Sequence, residues 1–322
     1  MVTPLESYPD LAKAIGLSSL YFKREDLHPY GSHKGRSIPV MIDTYRSSGD
    51  TRFAISSSGN AALAAAIHIQ KINKEIDLTN SSATPDQSFT PSLSLDIFVG
   101  NHIAEHKFEK LQKYADNNIR ILKKERPLQA LTEVIKEGVR SLRQSTDDTA
   151  LVGYESLGEE LANAFADLGK KKTKGNDSLG AIFIGTSSGT TAQALATYFL
   201  KAVSDSNINR QVSQIHIVQT SSCHPLSTVL NPYDGPDELS DADAITDITA
   251  LRKNTLIPLI EKTGGYGWSA TNEDIETAKI LVKKHTNLNI SNNSALSVVG
   301  AMKSVYEGHT IDGAVVCMIC GE

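Results

Sequence analysis

Apolar residues along the chain fall into two recurring patterns. Short, mostly apolar stretches at 20–23, 52–55, 95–99, 119–122, 181–184, 215–219 and 314–320 have the length of strands, and a strand covered on both faces, as the clean runs at 181–184 and 314–319 suggest, needs no polar alternation. Between them, stretches with helical spacing of apolar residues predict helices at 38–46, 61–70, 104–115, 128–142, 157–168, 192–203, 272–285 and 294–306. Thr271, with Asp274 three residues on, reads as the cap of the helix at 272–285. Pro39 is unwelcome beyond a first helical turn, so the helix at 38–46 is expected to begin later than a cap at Ser32 would allow.

Polar tracts separate these elements. Residues 77–92, rich in Ser, Thr, Asn and Pro, read as a long exposed loop, 170–174 as a solvated basic connection, and 232–244 as an acidic, turn-rich segment. The strand–helix alternation from 52 to 150 is that of a small doubly wound domain, closed by a second polar stretch at 144–149. It resumes in a larger sheet. The expected fold class is therefore α/β with two doubly wound domains: a large one from 1–48 and 151–322 and a small one from 49–150.

Composition narrows the function classes. At 322 residues with 40% hydrophobic and 21% charged residues, the chain can bury a sizeable core in one large domain or two. A formal net charge of -5 gives no general attraction to nucleic acid or to anionic membranes. The first thirty residues do not resemble a signal peptide and no apolar run approaches a membrane span, so a cytoplasmic protein is expected. The three cysteines, Cys223, Cys317 and Cys320, are too few for a disulfide framework. Cys317 and Cys320 have C-x-x-C spacing, yet they lie on an apolar strand where residues three apart face opposite sides, so no metal site is expected.

Chemistry concentrates at three strand-to-helix junctions. In 21–36 a short strand runs into a Pro-Tyr-Gly turn and Ser32 offers an N-cap, which puts Lys34 where α/β enzymes place reactive groups. A lysine there becomes a nucleophile when nearby charge and burial favour its neutral amine, and Lys23, Arg24 and Arg36 are candidates to supply that charge. Ser56, Ser57, Ser58, Gly59 and Asn60 join the strand at 52–55 to an Ala-rich helix, and Gly185, Thr186, Ser187, Ser188, Gly189, Thr190 and Thr191 do the same after 181–184. Both loops put free N–H groups and hydroxyls at the positive end of a helix, which suits an anion. Nucleotide readings are disfavoured, because the second loop lacks the Gly-Lys-Ser/Thr ending of a P-loop and no G-x-G-x-x-G follows a strand.

A reactive lysine, a phosphate cradle and a carboxylate cradle are together what pyridoxal 5'-phosphate requires. The run Lys-Arg-Glu-Asp-Leu-His-Pro-Tyr-Gly-Ser-His-Lys-Gly-Arg resembles the lysine motif of the fold type II pyridoxal-phosphate enzymes, the tryptophan synthase β family, and is nearest in pattern to threonine synthases and serine/threonine dehydratases. Ser57-Ser58-Gly59-Asn60 is similar to that family's Ser-x-Gly-Asn loop, and the loop from Gly185 to Thr190 to its phosphate loop. The terminal Cys-Met-Ile-Cys-Gly looks like its last strand, and residues 218–225 resemble the threonine-synthase pattern after the equivalent strand.

The resemblance implies a cofactor cleft between the two domains, a Schiff base on Lys34, substrate carboxylate held by Ser57, Ser58 and Gly59, and Asn60 at the cofactor ring. It implies phosphate held by Gly185, Thr186, Ser187, Ser188, Gly189 and Thr190, with Cys320 facing the pyridine nitrogen. A neutral thiol there would leave that nitrogen unprotonated and favour β-elimination or replacement. The implied activity is that of a lyase acting on a hydroxy- or O-activated amino acid, with domain closure excluding water and a homodimer possible. His33 and Gly35 depart from the family's usual residues, and the phosphate loop is nearer the cysteine-synthase style. A cysteine-synthase-like replacement enzyme and a non-catalytic binder of a phosphate-bearing ligand are the alternatives.

Overall fold

A computed structural model of the chain describes residues 2–82, 89–170, 178–205 and 212–321. Contacts divide it into two compact units, 1–28 with 154–322, and 29–153. The chain opens with β1 (Leu5–Ser7), α1 (Pro9–Ile15) and β2 (Leu20–Arg24), which belong to the first unit.

The second unit follows without interruption: α2 (Lys34–Ser47), β3 (Arg52–Ser56), α3 (Asn60–Ser81), β4 (Ser94–Gly100), α4 (Glu105–Gln112), β5 (Ile119–Lys124), α5 (Pro127–Lys136), β6 (Arg140–Ser141) and α6 (Thr149–Val152). Its four strands pair in the order β5-β4-β3-β6, all parallel. Ile38, Met41 and Ile42 of α2 enter one core with Ala62, Ala65 and Ile69 of α3 and Ile55, Leu95 and Ile97 of the sheet. Ser37 Oγ donates to the Ala150 carbonyl at 2.6 Å and ties α2 to α6. These contacts place α2 in this unit, so the division falls at 28/29 and 153/154, whereas the sequence reading put 1–48 and 151–322 together.

The chain then returns to the first unit with α7 (Glu155–Lys170), β7 (Leu179–Gly185), α8 (Thr190–Asp205), β8 (Gln214–Thr220), α9 (Ser227–Leu230), α10 (Lys253–Lys262), β9 (Gly267–Ala270), α11 (Asn272–Thr286), α12 (Asn292–Tyr306) and β10 (Ala314–Ile319). The six strands pair as β1-β2-β10-β7-β8-β9, parallel except for the edge strand β1. Every residue of β10 is buried, as expected of a strand covered on both faces. Phe183, Val218, Trp268, Leu296 and Val299 share its main core. Lys23 is buried, and Glu160 and the Thr3 carbonyl meet its Nζ at 2.6 and 2.7 Å.

Several boundaries differ from the periodicity reading. α3 runs to Ser81, so the first part of the expected 77–92 loop is helical, while 83–88 lie outside the described residues. The helix expected over 128–142 stops at Lys136, because Gly138 takes φ +84 and β6 follows. α2 begins at Lys34 with Pro39 inside it, earlier than the proline suggested. Residues 171–174 of the basic connection also lie outside the described residues.

Candidate active site

Lys34 is the first residue of α2, and Ser32 Oγ accepts from its backbone N–H at 3.3 Å. The side chain is half-buried, and its Nζ donates to Gln144 Oε1 at 2.7 Å. Gln144 Nε2 in turn donates to Ser37 Oγ at 2.7 Å, and the Ser37 hydroxyl donates to the Ala150 carbonyl. The lysine is thus aimed by a neutral amide that is itself held at both ends. A neutral partner holds the amine in place without the penalty a carboxylate would put on losing its proton. Lys23 and Arg24, read as sources of positive charge for Lys34, have carboxylate partners in their own unit: Glu160 for the first, Glu6 and Asp26 for the second.

The Ser57–Asn60 loop sits at the carboxyl end of β3 in the same unit. Gly59 is the N-cap of α3, Asn60 its first residue, and Gly59 N–H donates to Ser57 Oγ at 3.3 Å. Ser58 is exposed and Ser57 half-buried. A 22-residue helix starting in such a loop presents unsatisfied N–H groups and a positive end to an incoming carboxylate.

In the other unit, Gly185, Thr186, Ser187, Ser188, Gly189 and Thr190 carry the chain from β7 into the 16-residue α8. Gly189 has φ +84, and a Cβ there would lie 2.5 Å from Leu256 Cδ2, so both conformation and space demand glycine. Ser188 Oγ and Thr190 Oγ1 lie 2.9 Å apart, and Ser187 Oγ accepts the N–H groups of Thr246 and Asp247. Cys320, buried, follows β10, the strand next to β7, so it and the loop leave the carboxyl ends of neighbouring parallel strands. Cys317 is separate: its Sγ donates to the Ser297 carbonyl at 3.4 Å, and burial pushes the thiol up.

Two glutamines that fasten Lys34 and the 185–190 loop have no role assigned to them by the sequence alone. Gln144 was seen only as part of a polar stretch, and nothing local could announce a contact 110 residues away in sequence. Gln219 carried a usable signal, a polar side chain ending an apolar strand. It is fully buried; its Nε2 donates to the Thr186 carbonyl at 3.2 Å and its Oε1 accepts from Leu226 and Ser227 N–H, so it fastens the 185–190 loop to the one after β8.

Residues 1–321 match the family model described as pyridoxal-phosphate dependent enzyme. The chain belongs to that family. Its cofactor is pyridoxal 5'-phosphate. Threonine synthase of Methanosarcina acetivorans is 38% identical over 66 residues, 20% of this chain and 16% of that protein. Human L-serine dehydratase/L-threonine deaminase is 28% identical over 118 residues, 36% of each chain. The matches therefore span much less than half of these curated relatives. A pyridoxal 5'-phosphate-dependent aspartate racemase superposes over 100% of this chain and 90% of its own, with a TM-score of 0.73 at 18% identity, which establishes the fold, that of the fold type II enzymes. Among the described residues no helix is long and apolar enough to cross a membrane.

The donor sets fit the cofactor in kind. A half-buried amine hydrogen-bonded to an amide suits a carbonyl-bearing ligand, and a loop with two clustered hydroxyls at a long helix's start suits a phosphate monoester.

Proposed function

We propose that the protein is a lyase that eliminates or replaces the β- or γ-substituent of a hydroxy- or O-activated amino acid, in the manner of threonine synthases and serine/threonine dehydratases. The observation that carries this reading is the Lys34 Nζ–Gln144 Oε1 contact at 2.7 Å, which holds one amine through a neutral amide, with no ion-pair partner among the described residues. Lys34 would hold the cofactor through Nζ, and its amine would take the proton from the substrate's Cα. When bound, the cofactor supplies an aldehyde for that exchange and a ring that accepts the electron pair left at Cα. Ser57, Ser58 and Gly59 would receive the substrate carboxylate at the start of α3, and Asn60 would hold the cofactor's ring. Gly185, Thr186, Ser187, Ser188, Gly189 and Thr190 would hold the phosphate, and Cys320 would serve the ring nitrogen as a neutral thiol.

Racemases share the fold, and they too draw a proton from Cα, so the lyase assignment rests on what happens next to the substituent. The test is to add serine, threonine and O-activated serine and homoserine derivatives to the cofactor-loaded protein while following the cofactor spectrum and the products. At least one of them should perturb the spectrum and release a keto acid or a substituted amino acid. A spectrum indifferent to the whole panel removes the lyase assignment, and inversion at Cα without loss of the substituent replaces it by racemisation.

A further inference from the structure

A cavity of about 440 Å³ lies within the 29–153 unit, at the edge strand β6 of its sheet. Tyr45 of α2, Val139, Arg140 and Ser141 around β6, and Arg143 and Thr146 beyond it form most of the wall. Its size is that of a small-molecule site, which runs to roughly 300–1,000 Å³. The place is separate from the lysine's. Tyr45 follows Lys34 by about three turns of α2, roughly 16 Å along the axis, and neither Lys34 nor any of Ser57, Ser58, Gly59 and Asn60 lines the cavity.

The wall carries positive charge that the protein does not answer. Arg143 is half-buried, and its guanidinium has no hydrogen bond or ion pair among the described residues. Its backbone is fastened all the same: Ser141 Oγ accepts its N–H at 3.2 Å, and Thr146 Oγ1 donates to its carbonyl at 3.1 Å. A guanidinium drawn partly out of water without a partner costs free energy that an anion would return. Arg140 joins it. Its Nε donates to Asp50 Oδ2 at 2.9 Å and its guanidinium lies over the Tyr45 ring, 4.4 Å from the centroid, while its two outer nitrogens have no partner among the described residues. Asp147 also lines the cavity, but its carboxylate is engaged elsewhere: Oδ2 accepts from the Tyr45 hydroxyl and Oδ1 from Thr149 N–H at 2.9 Å.

We propose that this cavity binds a small organic anion, a carboxylate or phosphate monoester with an apolar or aromatic part, on Arg143 and Arg140. Both head groups offer the oxygen pair that a guanidinium grips with two parallel hydrogen bonds. The Ser141 hydroxyl, which accepts from Arg143 N–H, still has its own proton to give the ligand. Ile135, Val139 and the Tyr45 ring supply the apolar wall for the rest of the molecule. The site stands apart from the lyase reading, because none of its residues is assigned there to substrate or cofactor.

Calorimetric titration of the cofactor-loaded protein with benzoate, phenyl phosphate and inorganic phosphate tests this, since loading fills the cofactor's own phosphate site beforehand. Benzoate or phenyl phosphate should bind, the tighter of the two naming the head group, and inorganic phosphate should bind at least about tenfold more weakly for want of an apolar part. Arg143→Gln should weaken the organic anion at least about tenfold, and Arg143→Lys, which keeps the charge without the fork, should recover only part of that. Arg143 precedes the residue that holds Lys34, so a second variant is made away from it. Thr146→Trp keeps both guanidiniums, fills the cavity and should abolish binding; should Arg143→Gln fail to fold, it decides the matter alone. An anion held at Ser57–Gly59 instead would be indifferent to both changes, and unchanged affinities in the variants that fold overturn the assignment. A wild-type protein that takes neither organic anion overturns it as well. Inorganic phosphate bound as tightly as the organic pair overturns the organic ligand in favour of a simple ion site. The lyase reading is untouched by any of these results.

Discussion

Lys34 works through its partners. Its amine meets Gln144, Gln144 meets Ser37, and Ser37 meets the backbone of α6, so one side-chain relay fixes where Nζ points. The end of the relay matters because it is an amide. Gln144→Glu keeps the size and the reach but puts a carboxylate beside the amine, and an opposite charge there favours the form that cannot attack an aldehyde. The rate at which the apoprotein takes up pyridoxal phosphate, measured against pH, should shift to higher pH in this variant. A superimposable profile would show that the amine does not feel that position. Of this relay, Lys34 was legible because its motif is contiguous from residue 23 to 36, while Gln144 was not, since the contact that gives it meaning is made only by the fold.

Elements were legible where packing and local pattern agree. β7, β8 and β10 read as apolar runs because both of their faces are covered, and the capping box of Thr271 with Asp274 marks the start of α11 in sequence and in structure alike. α5 was overextended because apolar spacing continues past Gly138, where positive φ ends the helix. β8 also carries a feature no periodicity shows. His216 is fully buried, its ring stacked on Phe183 and facing His309 edge-on at 5.1 Å, with Trp268 Nε1 donating to its Nδ1 and its Nε2 bonded to Gln214 Oε1. Burial, then the His309 charge, holds its pKa well below the usual histidine value of 6.5. The unfolded chain therefore binds a proton below pH 6.5 that the folded chain refuses, so this stability is complete above that pH and is lost as pH falls, at up to about 1.4 kcal/mol per pH unit. Denaturant unfolding at pH 7.5 and 5.5 should show a steeper loss in the wild type than in His216→Asn. Parallel losses would mean that His216 is protonated in the native state.

At the scale of the whole molecule, two units each carry a sheet, wholly parallel in the smaller and parallel but for β1 in the larger, and a core of their own, and the chain visits the larger unit twice. The α/β class and the pairing of a small sheet with a large one could be read from strand–helix alternation. The point at which the chain passes from one unit to the other could not, because it depends on which core α2 joins, and Ile38, Met41 and Ile42 look the same in either. The function proposed stands or falls on one amine. Borohydride reduction of the pyridoxal-phosphate-loaded protein, followed by proteolysis and mass analysis, should leave the reduced cofactor on the peptide that contains Lys34 and on no peptide of a Lys34→Ala variant. A cofactor fixed to another lysine, or to none, would contradict the account.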